Sequence, residues 1–168
     1  MWWWVVLGSL GLAYSLVFIY KTKTGSPYLP SETKAIEKIK TWLPQGVKVC
    51  DFGAGDGKLM KALARDEKVK EVWGWEIEPL VWLKGWWQMR QLSQQERKKI
   101  HYHWGDMWQV DLGQFEVVVV YQLERFNTRL AQKCKQEMRP GSLVIANTYP
   151  VRGLSLKEKD GQIYVYQI

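Results

Sequence analysis

The first residues whose types and spacing suggest chemistry form the segment Asp51-Phe52-Gly53-Ala54-Gly55-Asp56-Gly57. A β-branched run from Val47 leads into the acid, and a helix-forming run, Lys58 to Arg65, follows the last glycine. Glycines permit positive φ and close approach of a ligand, while the start of a helix presents free N–H groups and a positive dipole end. The segment therefore predicts a strand, a glycine turn and a helix that bind a nucleotide-like ligand.

The spacing of the glycines separates two classes of ligand. The dinucleotide fingerprint G-x-G-x-x-G fails, because its last position, counted from Gly53, falls on Lys58. Asp51 at the end of the strand would repel a pyrophosphate, but a carboxylate can accept hydrogen bonds or pair with a cation. S-adenosylmethionine offers ribose hydroxyls and an ammonium group, so the motif favours this cofactor.

Four further segments extend the motif in chain order. Glu71 to Glu76 reads as a second strand that ends in an acid, and Ile100 to Asp106 as a third that leads into Gly105-Asp106-Met107. Phe115 to Tyr121 is the fourth, and the turn Arg139-Pro140-Gly141 precedes the fifth. Over residues 46 to 150 the chain resembles the class I S-adenosylmethionine-dependent methyltransferases, which implies a Rossmann-like α/β sheet.

The resemblance also implies a role for each matching residue. The methionine end of the cofactor would be held by backbone contacts, with a polar contact from Asp56. Glu76 would accept from the ribose, Ile77 would pack on the adenine, and Asp106 with Met107 would fix the adenine edge. Independently of the resemblance, Pro27 and Pro30 around Tyr28 predict an extended linker in which Tyr28 lies over the cofactor pocket and helps close it, or which is a plain tether. The backbone contacts are expected from Asp51, Phe52, Gly53, Gly55 and Gly57.

Composition and charge limit the remaining function classes. A chain of 168 residues with 46% apolar and 24% charged residues supports one domain with its own core. Cys50 and Cys134 give neither a disulfide framework nor a metal spacing, so free thiols are expected. His101 and His103 lack a third ligand nearby, and no metal is predicted. The net charge of +7 favours an anionic lipid surface over nucleic acid, because no nucleic-acid motif accompanies it.

Residues 1–20 contain no charged side chain. A helix of this length covers about 30 Å, the thickness of a bilayer's hydrocarbon core. Tryptophans at one end, and Tyr20 with Lys21 and Lys23 at the other, resemble interfacial anchors and put the following domain in the cytoplasm. The competing signal peptide lacks a positive n-region. We expect a single-pass anchor in a prokaryotic inner membrane, with a mitochondrial membrane as the alternative.

The division expected is therefore an anchor (1–20), a linker and helix (21–45) and a methyltransferase domain (46–168). The chain combines a predicted membrane span, the segment Pro27-Tyr28-Leu29-Pro30-Ser31, a helix and the Asp51–Gly57 motif. In this combination it is similar to the small membrane-anchored lysine methyltransferases that modify the adenine nucleotide translocase and the ATP synthase c subunit in mitochondria. This resemblance implies methyl transfer to a lysine of a membrane-associated protein. Tyr121 and Gln122 would then position the amine. The alternatives are a methyltransferase for a lipid or membrane-soluble small molecule, and a non-catalytic tethered binding module.

Two further segments carry structural expectations. Pro79 to Leu92 predicts a helix with Leu80, Leu83 and Trp87 on a core face. Trp82, Trp86 and Met89 form a neighbouring face, which suits either lipid, a membrane-embedded substrate or the core. The C-terminal residues predict an antiparallel hairpin that turns at Asp160-Gly161, which makes this a minimal version of the fold.

Overall fold

The computed structural model describes residues 2–24 and 31–168. Its helices and strands alternate through the centre of the chain, which is the order expected of a parallel α/β sheet. In chain order they are α1 (Trp3–Thr24), α2 (Thr33–Thr41), β1 (Val47–Phe52), α3 (Lys58–Ala64), β2 (Val69–Glu76), α4 (Pro79–Met89), α5 (Gln94–Lys99), β3 (Ile100–Trp104), β4 (Val117–Val120), α6 (Asn127–Glu137), β5 (Leu143–Asn147), β6 (Leu156–Asp160) and β7 (Ile163–Gln167).

Within the described part of the chain, the strands form one seven-stranded sheet in the order β3-β2-β1-β4-β5-β7-β6. β3, β2, β1, β4 and β5 run parallel, whereas β7 is antiparallel to both β5 and β6. The expected Rossmann-like sheet with a C-terminal antiparallel hairpin is confirmed. The carboxyl ends of the parallel strands meet at one edge, where such sheets bind their ligands.

Each face of the sheet buries its own core layer. Val117–Val120 is buried at all four positions, as expected for a strand covered on both sides. Ile39 from α2 and Leu63 from α3 pack on one face, and Leu130 from α6 packs on the other. The second layer also contains Cys50 and Cys134, which are free buried thiols as predicted, and burial raises the pKa of both.

Helix α4 buries a different face from the one predicted. Leu80, Leu83 and Trp87 are 61%, 52% and 63% exposed, so their assignment to the core is wrong. The buried residues are Gly85 and Met89, which lie one turn apart. A side chain at Gly85 would collide with the ring of Tyr102 on β3. The helix approaches the sheet along its smallest residue, and this turns the predicted core face toward solvent.

The N-terminal segment forms the helix α1, but the structure does not support the expected membrane span. Among the described residues, no helix has both the length and the apolar character needed to cross a membrane. Glycine, serine and tryptophan interrupt the aliphatic residues of α1. The described side chains of α1 are exposed.

Candidate cofactor site and acceptor edge

The glycine loop joins β1 to α3 at the carboxyl edge of the sheet. Gly53, Gly55 and Gly57 have φ values of 93°, 55° and 73°, which side chains other than glycine rarely adopt. A Cβ at Gly57 would lie 1.9 Å from Met89 Cε, and one at Gly53 would lie 2.9 Å from Gln122 Nε2. Backbone conformation therefore favours glycine at all three positions, and a Cβ at Gly53 or Gly57 would also displace the end of a neighbouring side chain.

Three buried acids meet around this loop: Asp51, Asp56 and Glu76. The carboxylate of Glu76 accepts from the N–H of Gly55 at 3.0 Å and from that of Glu78 at 2.8 Å. Asp56 pairs with Lys84 of α4 at 3.0 Å. Burial, followed by the charges of Glu76 and Asp56, raises the pKa of Asp51 to about 7. Such a cluster favours a cationic ligand, because a positive charge relieves the repulsion among the carboxylates.

The residues predicted to bind adenine lie at the ends of β2 and β3. Ile77 is half-buried, and its carbonyl oxygen accepts from Trp104 Nε1 at 3.0 Å. Asp106 caps a short 3-10 helix, Met107–Gln109, by accepting from the N–H of Trp108 at 2.9 Å. Gly105 N donates to Glu76 O at 2.9 Å, and this bond joins the two strand ends.

Gln122, which is predicted to position the amine, also contacts the glycine loop. It is buried, and its Nε2 lies 3.4 Å from both the carbonyl oxygen of Phe52 and the sulfur of Met107. The ring of Phe52 packs in the core, edge to face with Trp108 at 5.0 Å, so the cofactor side is left to its backbone. Gln122 therefore contacts the floor of the glycine loop.

Tyr121 stacks with Tyr149, with ring centroids 6.2 Å apart and an interplanar angle of 28°. The two tyrosines follow the ends of β4 and β5, the neighbouring parallel strands. Thr148, just before Tyr149, has φ 68°, a conformation unusual for a residue with a branched side chain. The strained turn brings Tyr149 to the same edge as Tyr121 and gives this edge an aromatic lining.

Sequence reasoning missed three side chains that hold the glycine loop in place. Tyr102 donates from its hydroxyl to the carbonyl oxygen of Gly55 at 2.5 Å, Lys84 binds Asp56, and Met89 packs on Gly57. The available signal was Gly85, a single small residue among the bulky ones of α4. The neighbours of Tyr102 on β3, His101 and His103, stack instead on Trp73, at centroid distances of 4.0 and 5.5 Å.

The residues present fit S-adenosylmethionine. The positive-φ glycines of the loop after β1 allow close approach of a ligand to the backbone, and the buried acids suit a ligand with a positive charge. When bound, this cofactor supplies an electrophilic methyl group on a sulfonium. Tyr28, which was predicted to cover the cofactor, lies outside the described residues.

The strand order, the glycine loop after β1 and the acid at the end of β2 define a class I methyltransferase fold. The structure is similar to an RNA methyltransferase from Salinibacter ruber, solved with S-adenosyl-L-homocysteine, with a TM-score of 0.74 and 18% identity over 83% of this chain and 94% of that one. It is also similar to the glycopeptide N-methyltransferase MtfA in complex with S-adenosyl-L-methionine, with a TM-score of 0.58 and 18% identity over 83% of this chain and 71% of that one. These likenesses establish the fold.

Residues 51–158 match the ANTKMT methyltransferase domain, and the chain belongs to this family. It is 28% identical to a protein-lysine N-methyltransferase of Saccharolobus islandicus, over 84% of this chain and 93% of that protein. It is 26% identical to the human lysine N-methyltransferase of the ATP synthase c-subunit, over 87% of this chain but only 63% of the human protein. The predicted family, the cofactor S-adenosylmethionine and the enzyme class, protein-lysine N-methyltransferase, are confirmed.

Proposed function

We propose that this chain methylates a lysine side chain of a membrane-associated protein. The human relative is named for a lysine of the ATP synthase c-subunit, and the relative from Saccharolobus islandicus for protein lysine in general. The observation that carries the proposal is the stacked pair Tyr121–Tyr149 at the carboxyl edge, beside the glycine loop. Aromatic faces at that position suit a long aliphatic side chain that ends in an amine.

The residues around the glycine loop would each bind a different part of the cofactor. The backbone of the glycine loop, together with Asp51, would hold the amino-acid end of the cofactor, and Asp56 would add a polar contact. Glu76 would accept from the ribose, while its existing bonds to Gly55 and Glu78 keep its carboxylate in one orientation. Ile77, Asp106 and Met107 would enclose the adenine. Gln122 is reassigned to the support of this loop, on the basis of its contact with Phe52.

The acceptor side must bring an uncharged amine into line with the methyl group. Removal from water favours the neutral form of a lysine amine, because burial penalises the ammonium. Tyr121 and Tyr149 would exclude water from the amine and orient its lone pair. Holding the reactants at near-attack distance is the main contribution that a protein makes to such a displacement.

The test is to incubate the full chain with tritiated S-adenosylmethionine and detergent-solubilised membrane proteins. We expect the label in protein, recovered as methyllysine after acid hydrolysis, and we expect none with Asp51→Ala. Tyr149→Ala should still bind S-adenosylmethionine in a calorimeter and yet transfer much less label. Label in the organic extract alone would instead show a lipid or small-molecule acceptor, and would overturn the proposal.

A further inference from the structure

An apolar surface lies on the outer side of α4 and the adjoining end of β3. It consists of Leu80, Leu83, Trp86 and Trp87 of α4 and Trp104 of β3, and we name these five residues the α4 surface. The exposed fraction of their side chains ranges from 37% at Trp86 to 63% at Trp87. The half-buried ring of Trp82 connects the α4 residues of this surface to Trp104. Its centroid lies 6.5 Å from that of Trp86 and 6.3 Å from that of Trp104. Isolated exposed apolar residues are ordinary, but a contiguous aromatic patch marks a binding surface.

We propose that the α4 surface docks on an anionic lipid bilayer. Residues 79 to 105 contain five basic side chains, Lys84, Arg90, Arg97, Lys98 and Lys99, and one acidic side chain, Glu96. Lys84 pairs with Asp56, and Lys99 donates to the carbonyl oxygen of Asp66. Arg90, Arg97 and Lys98 are exposed and form the basic rim. The negative charge of Glu96 is balanced by Arg65, with which it pairs at 2.5 Å. The guanidinium of Arg90 lies 4.7 Å from the ring centroid of Trp86, so charge and apolar surface are contiguous.

This combination of side chains favours lipid over a second copy of the chain. Tryptophan and leucine on one side of a helix, with lysine and arginine beside them, is the composition of helices that lie in the bilayer interface. A symmetric dimer through the α4 surface would bring two basic rims together, and like charges would oppose it. An anionic headgroup layer attracts the same rim.

The position of α4 links this surface to the cofactor site. Glu78 caps the helix by accepting from the N–H groups of Leu80 and Val81, and the helix starts three residues after Glu76. Farther along, Lys84 pairs with Asp56, and Met89 packs on Gly57. Docking would therefore hold the carboxyl edge of the sheet close to the headgroups. The proposal concerns lipid contact alone and does not rest on methyl transfer.

The experiment places a fluorescent label on the surface and detects water loss around it. Cys50 and Cys134 are buried, so a new exposed cysteine can be labelled selectively with a polarity-sensitive dye. Leu83→Cys and Trp87→Cys report on the α4 surface. Leu156→Cys is the matched control, because Leu156 is 54% exposed but lies on β6. The full chain is mixed with phosphatidylcholine vesicles that contain or lack a quarter of phosphatidylglycerol.

We expect the emission at positions 83 and 87 to shift to the blue and rise severalfold with the anionic vesicles, and much less with the neutral ones. The label at position 156 should not respond. High salt should reverse the response, because it screens the basic rim. If the chain sediments with vesicles while the labels at 83 and 87 stay unchanged, lipid is contacted elsewhere in the chain and the proposal is overturned. A response to added membrane protein but not to vesicles would also overturn it.

Discussion

The hydroxyl of Tyr102 donates a hydrogen bond to the carbonyl oxygen of Gly55, although 47 residues separate the two in the sequence. Tyr102 lies on β3, the outermost parallel strand, and Gly55 lies in the loop after β1, two strands away. The contact depends on Gly85 of α4, where a Cβ would lie 2.5 Å from the same hydroxyl oxygen. An edge strand and a surface helix thus fix the conformation of the cofactor loop.

Removing the Tyr102 hydroxyl should weaken cofactor binding while the fold is kept. Tyr102→Phe leaves the ring in place but removes the hydroxyl that donates to the Gly55 carbonyl. We expect this loss to weaken binding by about 1 kcal/mol, or roughly fivefold in the Kd of S-adenosylmethionine. Calorimetric titration measures the change. Tyr164→Phe, in the C-terminal hairpin, is the control and should bind as the unsubstituted chain does. Equal affinities for the two variants would show that the bond does not hold the loop.

Gly57→Ala should destabilise the protein through two separable effects. The backbone needs φ 73°, which costs an alanine roughly 1–2 kcal/mol, and the new methyl group would collide with Met89 Cε. Gly46→Ala is the control, because φ is 70° there and no heavy atom lies within 4 Å of the Cβ. Urea unfolding should give a larger loss of free energy for Gly57→Ala than for Gly46→Ala.

Shortening Met89 should relieve only the collision at residue 57. Met89→Leu removes the contacting Cε, so we expect the double variant Gly57→Ala/Met89→Leu to be more stable than the sum of the single effects predicts. The strain from positive φ should remain. Strict additivity in the urea experiments would mean that the backbone strain accounts for the whole loss.

Asp51→Asn should stabilise the cofactor-free protein at pH 8 but not at pH 4. The folded-state pKa is raised from 3.8 to about 7, so the native state holds a proton that the unfolded state releases between these values. The contribution of Asp51 to the free energy of unfolding is therefore fully present below pH 4. It is lost as pH rises through 7, and the loss is at most about 4 kcal/mol. Asparagine cannot ionise and should remove this slope in urea unfolding across the range.

The same substitution should weaken the binding of S-adenosylmethionine, because the ionised carboxylate favours a cation. In the unsubstituted chain, affinity should rise with pH up to about 7 and then level off. Glu67→Gln, at an exposed acid, is the control and should change neither the slope nor the affinity. A pH-independent affinity would contradict the assignment of Asp51 to the cationic end of the cofactor.

Gln122 and Tyr149 should separate cofactor binding from methyl transfer. Gln122→Leu removes the amide that donates to the Phe52 carbonyl. We expect the binding free energy of S-adenosylmethionine to weaken by about 1 kcal/mol. Tyr149→Ala should leave this affinity unchanged and reduce the tritium transferred to protein. If Gln122→Leu reduced transfer at saturating cofactor without changing the Kd, Gln122 would belong to the acceptor side, as the sequence first indicated.

The parts of the fold that could be predicted are those that local pattern determines. The buried run at Val117–Val120, the glycines after β1 and the hairpin turn, which lies at Gly161-Gln162, one residue beyond its predicted position, each follow from backbone conformation or from periodicity. The resemblance to a known family then pointed to Glu76 and Asp106 as cofactor-binding residues; Glu76 ends β2 and accepts from the loop at Gly55, and Asp106 follows β3.

The error at α4 arose where distant packing decides the outcome, and the contacts of Gln122 depend on packing of the same kind. Periodicity gives α4 two apolar faces and cannot choose between them, and Gly85 against Tyr102 makes the choice. Gln122 follows β4 as expected, but the direction of its side chain depends on Phe52 and Met107, which are far away in the chain. Contacts of this kind bring together elements that no local window contains.

The edge strand β6 carries features that oppose the addition of a strand from a second molecule. β6 ends the sheet, and its sequence, Leu156-Lys157-Glu158-Lys159-Asp160, alternates charge along an exposed edge with an irregular register at Leu156/Glu158. Asp160 is further held by Lys38 of α2. A second molecule that added a strand there would have to bury those charges and match the irregularity. The hairpin therefore protects this edge of the sheet against the addition of a strand from a second molecule, while β3 forms the opposite edge.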